Sequence, residues 1–452
     1  MRPFFFTIEW GSTIARFAVL AVAMSPSFYV KIGSARFTEE STIYRWIILV
    51  GVWLLYAAFG LTATSLAPMV SLIEADLDIS HTAMGSIMGA WQFTYILFAI
   101  PCGMLLDRIG SRTALTLGAV IITLSSLARA FSTDYYAMIC AVMIFGIGGP
   151  IISAGAPKLI TGWFSGQSRG LAMGIYMTGP AIGGIVSLTL THSLLIPLMG
   201  SWQNIMLAIA GFSSLTALAW FIIASNEKMQ TREKQSSGMP EQGQTAIFLT
   251  LIKLPAVRLV LLMSVGIFAI NHGLNNWLPE LLKLTGMSLI EAGYWAAIPT
   301  AIGILGSLTI PRLAIPGRRF KILFCLSLCT ALASYLLHSQ TTAVLTTGLL
   351  LQGIVRSSIM IVLILALIEI PGINDRYAGI ASGLLFTAAE VGGILGPLGL
   401  GLLYDMTGDF QSGLNLLTIT AIIIAMATVF LNRLIKINKP VFTEPSEQLR
   451  KP

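Results

Sequence analysis

Charged residues are scarce in this 452-residue chain: Asp, Glu, Lys and Arg make up 10% of it, against roughly 25% in soluble domains. Apolar residues make up 55%, and the mean hydropathy is +0.82. A water-soluble fold has no way to cover so much apolar surface. The composition therefore excludes an ordinary soluble domain and predicts an integral membrane protein.

Cysteine is also rare, and the motifs of several enzyme classes are absent. All four cysteines fall in predicted membrane helices, and their segments lack the His or carboxylate neighbours of a metal site. No G-x-x-x-x-G-K-[ST] loop, zinc-protease motif or nucleophile elbow occurs. The net charge of +7 comes from short loops rather than one stripe, so nucleic acid is not expected as a partner. We expect no enzymatic activity, no metal and no cofactor.

Apolar segments of helical length recur twelve times. A hydrocarbon core about 30 Å thick needs about 20 residues of helix to cross. The predicted spans cover 46–73, 83–106, 113–132, 137–164, 169–198, 202–224, 257–284, 288–314, 319–338, 341–371, 377–404 and 411–434. Lys and Arg concentrate in the connections on one side, which the positive-inside rule makes cytoplasmic together with both termini. The compact chain favours a multi-pass protein of a prokaryotic inner membrane.

The longest polar interruption, which begins at Ser225, divides the spans six and six. The predicted organisation is a cytoplasmic or interfacial leader (1–45), a first six-helix bundle (46–224), a flexible cytoplasmic linker (225–256), a second bundle (257–434) and a cytoplasmic tail (435–452). The sixteen residues from Gly170 align with those from Gly379 at a constant shift of 209, with seven identities. The sequence thus predicts an all-α membrane fold of two pseudo-symmetric halves.

Two motifs carry a family resemblance. GMLLDRIGSR, which begins at Gly103, resembles the signature G-x-x-x-D-R-x-G-x-R of the major facilitator superfamily, and GIYMTGPAIGG, from Gly174, is similar to its fifth-helix motif. The resemblance covers about residues 45–435 and implies alternating access between the halves. Within the superfamily, segments such as NNWLPELLKLTGMSLIEAG, from Asn275, look most like the cyanate and nitrite type permeases and related organic-anion carriers.

The signature has its own set of expected gating residues. The resemblance implies that they stabilise one face of the transport cycle, with a glycine allowing close helix approach and basic residues pinning the loop. They are Gly103, Asp107, Arg108, Gly110 and Arg112. The second-half copy, from Gly306, is degenerate, because Ile310 stands where the acid is expected.

Two charged side chains fall in the middle of predicted spans, where ionisable groups are expensive and mark a substrate or ion pathway. Arg356 offers a planar fork of donors that suits a carboxylate or small oxyanion. Glu390 is expected to neutralise Arg356 in the empty site or to carry a coupling proton. A fixed structural ion pair between spans 10 and 11 is the alternative.

Other polar residues at comparable depth extend this candidate site. Span 7 supplies a histidine that relays protons or stays neutral, and asparagines that bind substrate or pack between helices. These further candidates are His272, Asn271, Asn275, Gln352 and Tyr56. Three side chains of span 2 favour packing over recognition. A lysine of span 4 favours snorkelling over a role in an inner gate, and two residues near span ends are expected to be interfacial. These are Trp91, Gln92, Tyr95, Lys158, Arg129 and Glu369.

The sequence therefore predicts a secondary transporter, expected to be a monomer in the lipid bilayer, that moves a small solute by alternating access. The buried arginine favours an anion, and protons are the candidate coupling ion. Two alternatives stay open. One is an efflux carrier for metabolites or drugs, and the other is a receptor or regulator that keeps the fold without moving solute. Retention of Asp107 and Arg108 argues against the receptor, which needs neither.

Overall fold

The computed structural model describes residues 39–226, 251–371, 373 and 375–437. Within these ranges every regular element is a helix, as the predicted all-α membrane fold requires. The leader (1–45), the linker (225–256) and the tail (435–452) lie mostly outside the described residues, and those three expectations stay predictions.

Eleven helices of the described ranges are long and apolar enough to cross a membrane, and the 50-residue helix among them holds two crossings. Gly110 interrupts that helix with φ 79° and ψ 164°, a conformation open to glycine and costly for other residues, and separates span 2 from span 3. Spans 1 to 12 are carried by Glu39–Thr64, His81–Ala130 (spans 2 and 3), Tyr135–Trp163, Gly166–Leu190, Trp202–Ala224, Pro255–Leu284, Leu289–Leu313, Arg319–Leu336, Thr342–Ile368, Asp375–Thr407 and Gln411–Ile437. The predicted order of twelve spans is confirmed.

Spans 1 and 5 end irregularly. Span 1 is followed by a 3₁₀ turn at Ala67–Met69 and a short helix, Val70–Leu77. Span 5 passes into a π-helical turn, Thr191–Leu195, and then the short helix Ile196–Met199. The two irregular ends meet where the His192 ring hydrogen bonds to the Pro68 carbonyl, with Nε2 and O 2.6 Å apart.

Arg129 of span 3 supports the end of span 1. Its Nη1 donates to the carbonyl of Thr62 at 2.9 Å and to Ser65 Oγ at 3.2 Å, and its guanidinium lies 5.5 Å from the ring centroid of Phe145. A cation is favourable at the carboxyl end of a helix, where carbonyls lack partners. Arg129 lies in the last turn of span 3, and its side chain is 1% exposed and buried within the first half. The expectation that it is interfacial stays a prediction.

Equivalent glycines bring two helices together in each half. A methyl group built at Gly183 of span 5 would overlap the Ala57 carbonyl of span 1, and one at Gly392 of span 11 would overlap the Val265 carbonyl of span 7. Gly183 and Gly392 are paired by the shift of 209 residues. Small residues allow this approach in lipid, where no hydrophobic effect drives helices together. The equivalent contacts agree with two pseudo-symmetric halves.

Among the described residues, the halves approach each other most closely near one end. There, spans 2 and 11, and spans 5 and 8, approach so closely that an added methyl group would overlap a backbone carbonyl of the other half. This holds at Gly85, Gly293 and Gly401. Towards the opposite end of these spans, a methyl group would meet nothing within 4 Å at Gly103, Gly174 and Gly383. We call the first end the closed end and the second the open end.

We predict that Gly392→Ala lowers the melting temperature of the purified protein by several degrees. The added methyl group must push spans 7 and 11 apart, and such overpacking costs about 1–3 kcal/mol. The matched control is Gly399→Ala on the same span, where an added methyl group meets nothing within 4 Å and helix propensity improves. Equal melting temperatures for the two variants would contradict the close contact.

Candidate substrate and coupling site

At the closed end, a carboxylate of one half caps a helix of the other. Asp405, near the end of span 11, accepts hydrogen bonds from the backbone N–H groups of His81, at 3.2 Å, and Thr82, at 2.8 Å, the first residues of span 2. An anion is stabilising at a helix N-terminus. The His81 ring also stacks on Tyr404, with 3.8 Å between centroids. The contact therefore joins the halves by charge and by ring packing.

At the open end, each half carries an ion pair between the region after its second span and the end of its fourth span. In the first half, Lys158 Nζ lies 2.7 Å from Asp107 Oδ1. In the second half, Arg319 Nη1 lies 2.9 Å from Glu369 Oε1. The second half thus has a corresponding ion pair with its charges exchanged, although its signature looked degenerate at Ile310. The sequence interpretation of Lys158 and Glu369 did not specify these ion pairs.

The other signature residues differ in their contacts. Arg112 Nη2 donates to Ser225 Oγ at 3.3 Å, which ties the start of span 3 to the end of span 6. Gly110 forms the kink, and Arg108 is exposed. The close helix approach expected at Gly103 was wrong for this conformation, because the glycine lies at the open end, where spans 2 and 11 are apart.

Arg356 lies in the middle of span 10 beside a small cavity within the second half. Its Nη1 is 3.5 Å from Thr300 Oγ1, and its backbone carbonyl accepts a hydrogen bond from Asn271 Nδ2 at 3.3 Å. Gln352 lines the same cavity and is 5% exposed. Neither Nε2 nor Oε1 of Gln352 has a hydrogen-bond partner in the part of the chain that is described. The structure thus brings Asn271, Gln352 and Arg356 together, as predicted.

Glu390 does not pair with Arg356. Among the described residues, no ion pair within 4.0 Å joins these two side chains, so the fixed structural ion pair is wrong for this conformation. Glu390 lies beside span 2 of the other half instead. A methyl group built at Gly393 would be 3.1 Å from Glu390 Oε2 and 2.9 Å from Gln92 Cγ. Glu390 is 7% exposed, and its Oε2 has no hydrogen-bond partner in the described ranges.

His272 joins the halves at the same depth. Its Nδ1 lies 3.2 Å from Gln92 Nε2. An amide nitrogen donates and cannot accept, so Nδ1 is the acceptor and the neutral ring carries its proton on Nε2. The ring also lies 5.9 Å from that of Trp91, centroid to centroid. The sequence interpretation of Gln92 as a packing residue missed this contact, although a glutamine in mid-span was the available signal.

Tyr56 and Asn275 take separate positions. Tyr56 is buried in the first half, where its hydroxyl lies 3.4 Å from the carbonyls of Ile152 and Ser153, and it is not among the residues that line the cavity beside Arg356. Asn275 is half-buried one turn beyond Asn271. The predicted residues therefore fall into an anion cluster (Asn271, Gln352, Arg356), an interface cluster (His272, Glu390, with Gln92 added), and these two outliers.

The two clusters limit the chemistry of the site. The anion cluster offers hydrogen-bond donors and a permanent positive charge, which suit an anion. The interface cluster offers a carboxyl group and an imidazole, which suit proton exchange. Within the described ranges, no group of three or more His, Cys, Asp or Glu side chains could hold a metal ion. The side chains of the two clusters therefore suit an anion and an exchangeable proton.

Comparisons with known proteins agree with this geometry. The model of the family described as Major Facilitator Superfamily matches residues 52–397. A quinolone resistance transporter of Acinetobacter baumannii is 26% identical over 76% of this chain and 84% of its own. A hexuronate transporter of Bacillus subtilis is 24% identical over 85% of this chain and 93% of its own. A 4-hydroxybenzoate transporter of Acinetobacter baylyi is 24% identical over 59% and 65% of the two chains. The organic-anion branch of the resemblance is thereby confirmed.

Solved structures share the fold. A bacterial homologue of the human lysosomal transporter Spinster, in an inward-facing and unoccupied conformation, superposes with a TM-score of 0.70 at 16% identity, over 90% of this chain and 99% of that one. The nucleoside transporter NupG superposes with a TM-score of 0.72 at 15% identity, over 85% and 99% of the two chains. Identities this low bear on the fold alone.

We predict that Asp405→Asn opens the closed end. Loss of the charge that caps span 2 removes about 1 kcal/mol at most for an exposed site, or about a fivefold change in the ratio of conformations. Spin labels at Ala75→Cys and Gln411→Cys, in a background without the four native cysteines, report the separation of the halves at this end.

Asp134→Asn is the matched control for that experiment. Asp134 also caps a helix, accepting from the Ala137 N–H at 2.9 Å, but within one half. We expect the longer label distance to gain population in Asp405→Asn alone. The same distances in both variants and the parent would show that the Asp405 cap does not hold the halves together.

Proposed function

The chain belongs to the major facilitator superfamily, and from this membership and the two clusters we propose that it transports an organic carboxylate together with protons. It is a transporter and not an enzyme, and its solute is a small organic anion. Carboxylate recognition and proton coupling are the parts that require experiment.

The free donors of the anion cluster carry the proposal. Arg356 makes no ion pair with an acid in the described residues, and the Gln352 amide has no hydrogen-bond partner there. An uncompensated charge in the membrane interior costs several kcal/mol and is retained where function needs it. A solute carboxylate supplies both the missing charge and the missing acceptors, and guanidinium binds it through two parallel hydrogen bonds.

The relatives support a carboxylate over a simple inorganic anion. Hexuronate, galactarate and 4-hydroxybenzoate, which appear in the names of three relatives, are all organic carboxylates. Each also carries a ring or a chain of hydroxyl groups. Aromatic side chains of the first half are available to pack against such a body, since Trp91 lies beside His272 and 6.0 Å from Tyr95, centroid to centroid. The proposed solute is therefore a carboxylate on a ring or a polyol.

Glu390 is the proposed coupling residue. It is buried at mid-depth, and no described cation pairs with it. Protonation neutralises it at the depth where a bare charge is most expensive. In this scheme the proton and the solute anion enter together, so that one positive charge accompanies one negative charge.

The arginine and lysine distribution supports an orientation. The positive-inside rule assigns the end that carries Lys158 and Arg319 to the cytoplasm. The open end is then cytoplasmic, both termini are cytoplasmic, and the conformation is inward-facing. Because the relatives are bacterial proteins, a bacterial inner membrane is the proposed location.

Drug efflux is the second candidate, favoured by the match to the quinolone resistance transporter. The same anion cluster would then bind the solute from the cytoplasm, and protons would move in the opposite direction to it. The sign of proton movement relative to solute movement separates the two functions.

We predict that Arg356→Gln abolishes carboxylate transport. Removing one partner of a buried charged contact costs about 2–5 kcal/mol, so apparent affinity falls at least about thirtyfold. Arg356→Lys keeps the charge but loses the fork and is expected to retain a small part of the activity. The measurement is uptake of 4-hydroxybenzoate and glucuronate into liposomes loaded with a pH-sensitive dye, with nitrite and cyanate as comparison anions.

Arg312→Gln is the matched control, because Arg312 is an exposed arginine at the end of span 8. It is expected to transport as the parent does. Full activity in Arg356→Gln would exclude Arg356 from binding. Carboxylate uptake without proton movement, unchanged in Glu390→Gln, would leave the carboxylate proposal intact and exclude the coupling proposal.

A further inference from the structure

Gln92 reaches from the first half to His272 and Glu390, the two residues of the interface cluster that the second half supplies. It comes from span 2 and is 0% exposed, and it reaches His272 of span 7 in the second half. It also flanks Gly393 of span 11, on which a methyl group would lie 2.9 Å from Gln92 Cγ, 3.3 Å from Gln92 Nε2 and 3.1 Å from Glu390 Oε2. Gln92 and Glu390 therefore share one small space between the halves.

Two hydrogen-bond acceptors in this space have no donor. Gln92 Oε1 and Glu390 Oε2 are both buried, and neither has a hydrogen-bond partner in the described residues. Buried acceptors without partners are costly and demand an explanation. A proton on Glu390 Oε2 turns that atom from an acceptor into a donor, and Gln92 Oε1 is a nearby acceptor that lacks a donor in the described residues.

We propose that Gln92 is the positioning residue of proton coupling, which accepts a hydrogen bond from protonated Glu390 across the interface and thereby holds the closed end shut. The inference rests on the proposed function, since it specifies how Glu390 acts on the opposite half. Gln92 binds no proton itself. Its amide donates to His272 with Nε2 and leaves Oε1 for Glu390.

The proton balance is simple. A proton from the solution on one side of the membrane binds Glu390 Oε2 and forms the hydrogen bond to Gln92 Oε1. When it leaves through the open end, Glu390 becomes an anion that faces an amide oxygen, and the contact turns from attractive to repulsive. The closed end loses that support, which favours return of the empty carrier to the opposite conformation.

Few other ionisable groups lie near this contact. His272 of span 7 is held neutral by the bond from Gln92. Tyr95 of span 2 interacts electrostatically with Glu390, and its hydroxyl is engaged with Ser153 Oγ at 2.7 Å. Arg356 of span 10 interacts electrostatically with His272 and makes no ion pair with Glu390. Of these groups, Glu390 is therefore the one whose protonation changes the contact with Gln92.

The test compares conformations at acidic and alkaline pH, without solute, using spin labels at Ala75→Cys and Gln411→Cys in the full-length protein in lipid. In the parent, the ratio of the shorter-distance to the longer-distance population should be about threefold to tenfold higher at acidic than at alkaline pH. This is the effect expected of one neutral hydrogen bond. Gln92→Met keeps the size of the side chain and removes both hydrogen bonds. In this variant, the ratio of the shorter-distance to the longer-distance population should change less than about twofold with pH, because twofold is about the smallest effect of one neutral hydrogen bond.

Transport measurements distinguish coupling from simple packing. Gln92→Met should retain exchange of internal for external solute, which requires no net proton movement, and lose uptake driven by a pH gradient. Loss of both activities in equal measure would overturn the proposal, because a packing defect affects every transport step. The matched control is Thr94→Val on the same span, which removes a hydrogen bond to the Met143 carbonyl within the first half. It should keep the pH response.

Gly393→Ala is a second variant that keeps both functional groups. The added methyl group separates Gln92 from Glu390, so the pH response should weaken as it does in Gln92→Met. If the pH response of the parent is lost in Glu390→Gln but kept in Gln92→Met and Gly393→Ala, the role of Gln92 is overturned and the proposal for Glu390 stands. A parent without any pH response or proton flux would overturn the proposed coupling itself, and this inference with it.

Discussion

The cost of an unpaired charge inside a membrane governs this structure. Each buried charged group needs a partner, a helix end or a functional reason. Arg129 meets the requirement with backbone and hydroxyl acceptors at the end of span 1. Arg356 and Glu390 do not meet it with each other, because no ion pair joins them among the described residues and Glu390 lies beside Gln92 of the other half instead. The polar chemistry of the protein is concentrated where hydrocarbon makes it most expensive.

The interface between the halves follows from small residues and from a few polar contacts. Glycines of spans 2, 8 and 11 let backbones of opposite halves touch at the closed end. Asp405 and His81 add a charge-assisted cap and a ring stack there. At mid-depth, Gln92 of span 2 hydrogen bonds to His272 of the second half and lies beside Glu390 of span 11. Spans 2 and 11 therefore carry contacts between the halves both at the closed end and at mid-depth.

The sequence predicted the architecture well because a membrane helix is defined by local composition. Span positions, the six-and-six division and the glycine repeat all depend on patterns that a single chain displays. The site was harder. Arg356 and Glu390 stand out as charges, but their lack of contact depends on which direction each helix faces. Gln92 carries no charge, and its hydrogen bond to His272 joins residues 180 positions apart. Neither the residue type nor the local sequence therefore indicates this contact.

The ion pairs of the two halves at the open end have their charges exchanged. In the first half the cation, Lys158, lies on the fourth span, and in the second half the acid, Glu369, lies at the end of the corresponding span. Each pair joins the fourth span of its half to the region after the second span. Because each pair contains one cation and one anion, neither pair adds a net charge to the open end, whichever helix carries the cation.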